Sequence, residues 1–250
     1  MNTENTVIKV ENLVKKFGSF VANDHLNFEV YEGEIFGFLG ANGAGKTTAI
    51  KILCGLSLPT TGKLNVAGLD IYRDREKIKK RIGYMSQKFS LYDDLKVYEN
   101  IRYYAGIYGL SRSFIKNRTE QLLEKLGLEH ARNKLIKDLP LGWKQKLAFS
   151  VAIFHNPSIV FLDEPTGGVD PVTRRQFWNL IYEASDENIT VFVTTHYMDE
   201  AEYCDRVSIM DMGRIEAIGT PSELKNKYSA DNMDDVFVKI ARKETVNREL

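Results

Sequence analysis

Gly40-Ala41-Asn42-Gly43-Ala44-Gly45-Lys46-Thr47-Thr48 fits the pattern G-x-x-x-x-G-K-[ST], and it constrains the chain more than any other stretch. It follows Ile35-Phe36-Gly37-Phe38-Leu39, an apolar run that reads as a buried strand, and opens a helical pattern from Lys46 to Leu53 that stops at Gly55. Glycines let such a loop curl until successive backbone N–H groups point inward, and the helix adds the partial positive charge of its N-terminus. The product is a cradle for a polyphosphate, with Lys46 reaching the β and γ phosphates and the Thr47 hydroxyl facing Mg²⁺. The strand–loop–helix setting separates this Walker A arrangement from a glycine-rich surface turn.

Ile159-Val160-Phe161-Leu162-Asp163-Glu164 supplies the complement, an apolar strand ending in two carboxylates. Paired acids after a strand more often mark a solvated strand end; the phosphate cradle changes that reading. A carboxylate at the C-terminal end of a strand sits at the sheet edge where ligands bind, so Asp163 is expected to hold Mg²⁺ through a bound water. Glu164 is then placed to orient or deprotonate the attacking water.

Strands and helices alternate around these motifs. Val7 to Val10 and Leu26 to Val30 both alternate in polarity, which predicts an antiparallel pair with one covered face. Pro59-Thr60-Thr61-Gly62 reads as a turn before a short strand to Val66. Helical segments then take over: Tyr98 to Tyr108, Phe114 to Leu126 and Trp143 to Phe154. The α/β pattern resumes with the Ile159 strand, a helix from Val172 to Ala184, a strand from Ile189 to Thr194 and a short pair from Val207 to Ala217. This predicts a mostly parallel sheet covered on both faces, interrupted by a helical insertion. Thr220-Pro221-Ser222-Glu223 carries a helix start, and a short helix is expected from Asp234 to Ala241 in a charged tail that either packs on the core, the favoured reading, or contacts a partner.

Charge excludes some partners. Lysine plus arginine and aspartate plus glutamate both number 34, so no global field draws in nucleic acid or an anionic membrane. Cys54 and Cys204 lack metal-ligand spacing and read as buried, reduced thiols, which fits a reducing cytosol. Met1 to Thr6 lacks the basic start and apolar stretch of a signal peptide, and no apolar run reaches the roughly 18 residues that cross a bilayer. A membrane role then needs another chain to do the spanning.

The order of these features resembles the nucleotide-binding subunits of ATP-binding cassette transporters over roughly Val7 to Tyr228. The resemblance implies an α/β P-loop NTPase (RecA-like) core with an N-terminal antiparallel β subdomain and an inserted α-helical subdomain. In one cassette, core and β subdomain would occupy residues 1–87 and 157–228, helices 88–156, and a tail 229–250. By the same likeness, Gln87 matches the Q-loop glutamine that senses Mg²⁺ and water and contacts the transmembrane partner. Asp170 matches the D-loop, and His196 the switch histidine on the γ-phosphate. Phe17 matches the aromatic that stacks on adenine, where the family more often has tyrosine.

One departure stands out. Where the family usually has Leu-Ser-Gly-Gly-Gln, this chain has Leu139-Pro140-Leu141-Gly142-Trp143. In the family this helix start closes over ATP held by a second subunit. Pro140 removes a hydroxyl and a backbone N–H, whereas Leu141 and Gly142 keep theirs, so weakened engagement is expected, with proline tolerated in a first turn. This run, with Asp163 to Pro171 and Thr195 to Asp205, looks like the multidrug-exporter branch. The resemblance therefore implies an ATPase using ATP and Mg²⁺, paired with a second, identical or different, ATPase subunit and a transmembrane permease at the cytoplasmic face of the cell membrane. Two alternatives are an ATP-dependent clamp or regulatory module outside transport, and a chain in which ATP binding alone does the work.

Overall fold

Bulges hide part of the first hairpin from a reading based on alternation. In the computed structural model, which describes residues 5–88 and 91–248 and side chains to residue 241, β1 (Thr6–Phe17) and β2 (Phe20–Tyr31) run antiparallel over 12 residues each. Register shifts between Val10 and Leu13, and again near Lys15, break the period-2 pattern, so only the regular parts are visible in the sequence. Met1 to Glu4, Phe89, Ser90, Glu249 and Leu250 lie outside the described residues, and with them part of the expected N-terminus, helical insertion and tail.

β3 (Ile35–Gly40) is buried along its whole length, and α1 (Lys46–Leu53) ends before Gly55, whose φ of 70° supplies the left-handed turn. β4 (Thr61–Val66) begins inside the expected turn, pairs with β1, and carries the short β5 (Leu69–Asp70) at its edge. The first sheet has the order β2-β1-β4-β5. α2 (Arg75–Arg81) and β6 (Ile82–Met85) follow, both too short to show a period. Three longer helices come next: α3 (Val97–Ile107), α4 (Arg112–Leu126) and α5 (Leu141–Ala152).

The chain then returns through β7 (Ile159–Asp163), α6 (Pro171–Asp186), β8 (Thr190–Thr195), β9 (Arg206–Asp211) and β10 (Arg214–Gly219). The second sheet has the order β10-β9-β3-β8-β7-β6, parallel throughout except for β10. β3, β8 and β7 are therefore neighbours pointing the same way, and the loops leaving their C-terminal ends meet at one sheet edge.

Phenylalanines weld the two sheets together. Phe28 of β2 lies 5.9 Å from Phe36, 5.4 Å from Phe38 and 6.2 Å from Phe192, ring centre to ring centre, and Phe161 lies 5.4 Å from Phe192. Each such pair adds roughly 0.5–1.5 kcal/mol beyond the area it buries. α7 (Pro221–Tyr228) starts with the expected capping box, Thr220 Oγ1 accepting from the Glu223 N–H and the Glu223 carboxylate from the Thr220 N–H. α8 (Met233–Arg248) is longer than the expected Asp234–Ala241, and its Met233, Val236 and Ile240 are buried in the core. Among the described residues no helix is long and apolar enough to cross a membrane.

Candidate functional site

The Gly40–Lys46 loop is pressed between β2 and β9. A Cβ on Gly45 would sit 2.3 Å from the Ala22 carbonyl oxygen, and one on Gly40 would sit 2.5 Å from that of Met210. Gly45 also has φ 102°, so both the space and the conformation exclude other residues. Asn23, buried in β2, donates through Nδ2 to the Gly45 carbonyl at 3.1 Å and anchors the loop from behind. Ala44 is buried, while Ala41, Asn42 and Gly43 form the exposed tip.

Lys46 and Thr47 open α1, with Thr48 behind them. The Lys46 ammonium is buried and donates to the carbonyls of Gly40 at 2.7 Å and Ala41 at 3.1 Å. That burial pushes its pKa down, against the opposing pull of Glu164 and Asp163. Thr47 Oγ1 donates to Asp163 Oδ1 at 3.1 Å, joining the two phosphate motifs directly.

Asp163, the last residue of β7, also accepts from Thr194 Oγ1 at 2.8 Å. Burial pushes its carboxyl up, while the Thr194 and Thr47 hydroxyls pull it back down. Glu164 follows with φ 48°, a left-handed backbone that a non-glycine residue holds only at a cost. Its N–H donates to both the carbonyl (3.1 Å) and the hydroxyl (3.0 Å) of Thr194, which fix that conformation. Sequence reasoning missed Thr194, whose one signal is its position near the end of the strand that leads into His196.

Distant residues converge on the Glu164 side chain. Lys46 Nζ lies 3.4 Å from Oε1; Gln87 Nε2 donates to Oε2 at 2.9 Å; and His196 Nδ1 is 3.2 Å from Oε2. Gln87 follows β6 and His196 follows β8, so three strand ends deliver them. The arrangement can hold a triphosphate tail, place a metal on oxygen ligands and keep a carboxylate next to the terminal phosphate.

Such a constellation on this sheet belongs to ATP-binding cassettes, and the comparisons agree: the family profile described as "ABC transporter" matches residues 23–167. The chain belongs to the ABC transporter family. It is 48% identical to the probable multidrug ABC transporter ATP-binding protein YbhF of Escherichia coli K12 over 92% of its own length, and spans 40% of that relative. It is also 39% identical to the bacitracin transport ATP-binding protein BcrA of Bacillus licheniformis, covering 84% of this chain and 68% of BcrA. A solved ATP-binding subunit of an ABC transporter, 28% identical, superposes with a TM-score of 0.85 over 94% of this chain and 100% of its own. A dimeric cassette in a post-hydrolysis state with ADP and Pi, 26% identical, gives 0.77 over 85% and 98%. This ABC cassette thus has the α/β P-loop fold of the ATP-binding subunits it resembles.

Phe17, Leu141, Gly142 and Asp170 stand apart from the Glu164 group; among the described residues no hydrogen bond links them to it. Phe17 is exposed at the tip of the hairpin, with the Lys15 ammonium 4.8 Å from its ring centre. Pro140 holds the cap position of α5 with φ −56° and ψ 151°, one residue before the first turn where the sequence placed it. It offers no side-chain acceptor, and the N–H groups of Leu141 and Gly142 occupy the first helical positions, which have no partner inside a helix. Asp170 caps α6, accepting from the Val172 and Thr173 N–H groups and, at 2.6 Å, the Thr173 hydroxyl; these bonds hold its carboxyl below the usual carboxylate range. Pro140, Leu141, Gly142, Gly168, Asp170 and Thr173 line a second open cleft.

Proposed function

We propose that this ABC cassette is the motor of an export pump, working as a pair of cassettes on a separate transmembrane permease. The observation that carries the reading is the convergence of Lys46, Gln87 and His196 on Glu164, beside the Thr47–Asp163 contact. The Gly40–Thr48 loop grips the triphosphate through its amides, and Phe17 stacks on the base. Thr47 Oγ1 and Asp163 Oδ1 are hard oxygen donors that fit Mg²⁺ and would hold it, with Gln87 as a further ligand; bound there, the metal would supply positive charge to offset that of the β and γ phosphates.

Glu164 takes the proton of the attacking water as its oxygen bonds to the γ-phosphorus and the bond to the bridging oxygen of ADP breaks. Gln87 aligns that water. Lys46 and His196 offset charge gathering on the γ-phosphoryl oxygens. The Leu141–Gly142 helix start and Asp170 face the nucleotide of the opposing cassette, which explains their separation from Glu164 in one chain.

The permease is assigned the apolar cavity of about 290 Å³ beside Gln87, lined by Leu56, Tyr84, Met85, Tyr104, Ile107 and Tyr108. These side chains join residues 88–156 to the core formed by 1–87 and 157–228. The names of YbhF and BcrA favour export, and the cassette works at the cytoplasmic face of the cell membrane. Phosphate release from the purified chain with Mg·ATP, and copurification with a polytopic membrane protein, test the reading. Failure of the folded chain to retain millimolar Mg·ATP, or its cosedimentation with ribosomes instead of membranes, overturns it.

A further inference from the structure

Gln145 sits one turn into α5, buried to 1% exposure, and takes no part in the site described above. Its Nε2 donates to the carbonyl of Gly167 at 3.3 Å, in the loop between β7 and α6. The Gly167 N–H in turn donates to the carbonyl of Glu164 at 3.3 Å. The same helix end is tied to α6 twice more. A Cβ on Gly142 would come within 2.6 Å of Thr173 Cγ2, and Lys146 Nζ donates to Gln176 Oε1 at 2.7 Å.

We propose that Gln145 is a positioning residue that locks the α5 N-terminus to the Glu164 loop, so that capture of one ATP by that helix end sets the carboxylate serving the other ATP. The proposal rests on the paired-cassette reading, in which Leu141 and Gly142 meet the opposing cassette's nucleotide. The path is short: Leu141 and Gly142, one helical turn, the Gln145 amide, Gly167, Glu164. With Pro140 at the cap, the helix start has no side chain to cap it and depends on such outside ties for its position.

A merely structural role predicts a different residue. Gln145 Oε1 is buried and has no donor among the described residues, which is costly for an amide oxygen. Methionine fills the same volume without that cost, so Gln145→Met is expected to melt no lower than the parent.

The test uses the full chain with Mg·ATP. In the parent, phosphate release against ATP concentration is expected to show a Hill coefficient approaching ~2, the number of sites in the pair. In Gln145→Met it falls to about 1, while binding of a fluorescent ATP analogue to the monomer is unchanged. In a Glu164→Gln background, the ATP concentration that half-assembles the dimer, read by light scattering, rises about five- to tenfold for the lost bond. Gln145→Glu, which turns a carboxylate toward the Gly167 carbonyl, repeats the test if the methionine variant misfolds. A folded Gln145 variant with the parent Hill coefficient and assembly midpoint overturns the Gln145 proposal alone. A parent that neither assembles nor hydrolyses cooperatively overturns the paired reading as well.

Discussion

Gln87 donates through Nε2 to the Oε2 of Glu164 at 2.9 Å, although the two residues leave different strands, β6 and β7. The carboxylate is therefore held by the segment that also borders the apolar cavity of Tyr84, Met85 and Tyr108. On the proposed reading, movement of whatever fills that cavity would reach Glu164 through a single hydrogen bond.

Glu164→Gln keeps the shape of this side chain and removes its basicity. ATP affinity is expected to stay within about twofold of the parent while kcat falls by roughly 10²- to 10⁴-fold, the usual span for loss of a general base. Equilibrium nucleotide binding and phosphate release check both halves, and hydrolysis at the parent rate would remove Glu164 from this role.

Thr194→Val deletes the hydroxyl that donates to Asp163 and accepts from the Glu164 N–H. Bonds to charged groups contribute about 1.5–3 kcal/mol, so a kcat loss of roughly ten- to a hundredfold is expected, with a higher Mg²⁺ requirement. A magnesium titration of the ATPase reads this directly; an unchanged midpoint and rate would contradict it.

His155 stacks on Tyr108 with ring centres 3.5 Å apart and is close enough to bond the Ile82 carbonyl at 3.1 Å. Burial drives its pKa down from 6.5 to about 4. Between those values the unfolded chain takes up a proton that the folded chain refuses, so this residue's contribution to stability is lost as pH falls from 6.5 towards 4. His155 is partly exposed, so solvent screening reduces the effect to about 1–2 kcal/mol. Urea midpoints at neutral and acid pH should converge in His155→Phe relative to the parent; an unchanged difference would refute the assignment.

Glu200 is fully buried, accepts from Thr166 Oγ1 at 2.6 Å and lies 3.7 Å from Arg174 Nε. Arg174 in turn covers the Tyr197 ring at 4.1 Å, next to His196. Glu200→Ala leaves the buried Thr166 hydroxyl without its acceptor and Arg174 with Asp199 as its remaining carboxylate, and is expected to cost about 3 kcal/mol, whereas Glu200→Gln still accepts from Thr166 and costs less. Thermal melts of the two variants should separate in that order; equal melting points would show that the Thr166 bond contributes nothing.

The cradle and the acidic strand end were legible because each is a contiguous run whose chemistry follows from adjacent residues. Gln87 and His196 were legible only through the family resemblance, since neither has a local signature. Thr194, Asn23, Gln145 and Glu200 were not legible: each acts on a partner at least 22 residues away, and nothing in its own neighbourhood announces that partner. The length of α8 escaped for another reason. Among the described residues Met233, Val236 and Ile240 are buried and Phe237 packs beside them, a sparse stripe in a segment rich in charge.

The phenylalanine weld between the sheets acts as a caliper. It fixes the hairpin that ends in Phe17 relative to the strand that ends in the phosphate loop, and the Asn23–Gly45 bond tightens the same spacing. On the proposed reading, with Phe17 against the base, that spacing would measure a nucleotide from its flat ring to its last phosphorus. An aromatic face accepts any nucleobase, so on the proposed reading such a gauge would discriminate by tail length: a diphosphate would fall short of Glu164, whereas exchange of adenine for guanine would be tolerated.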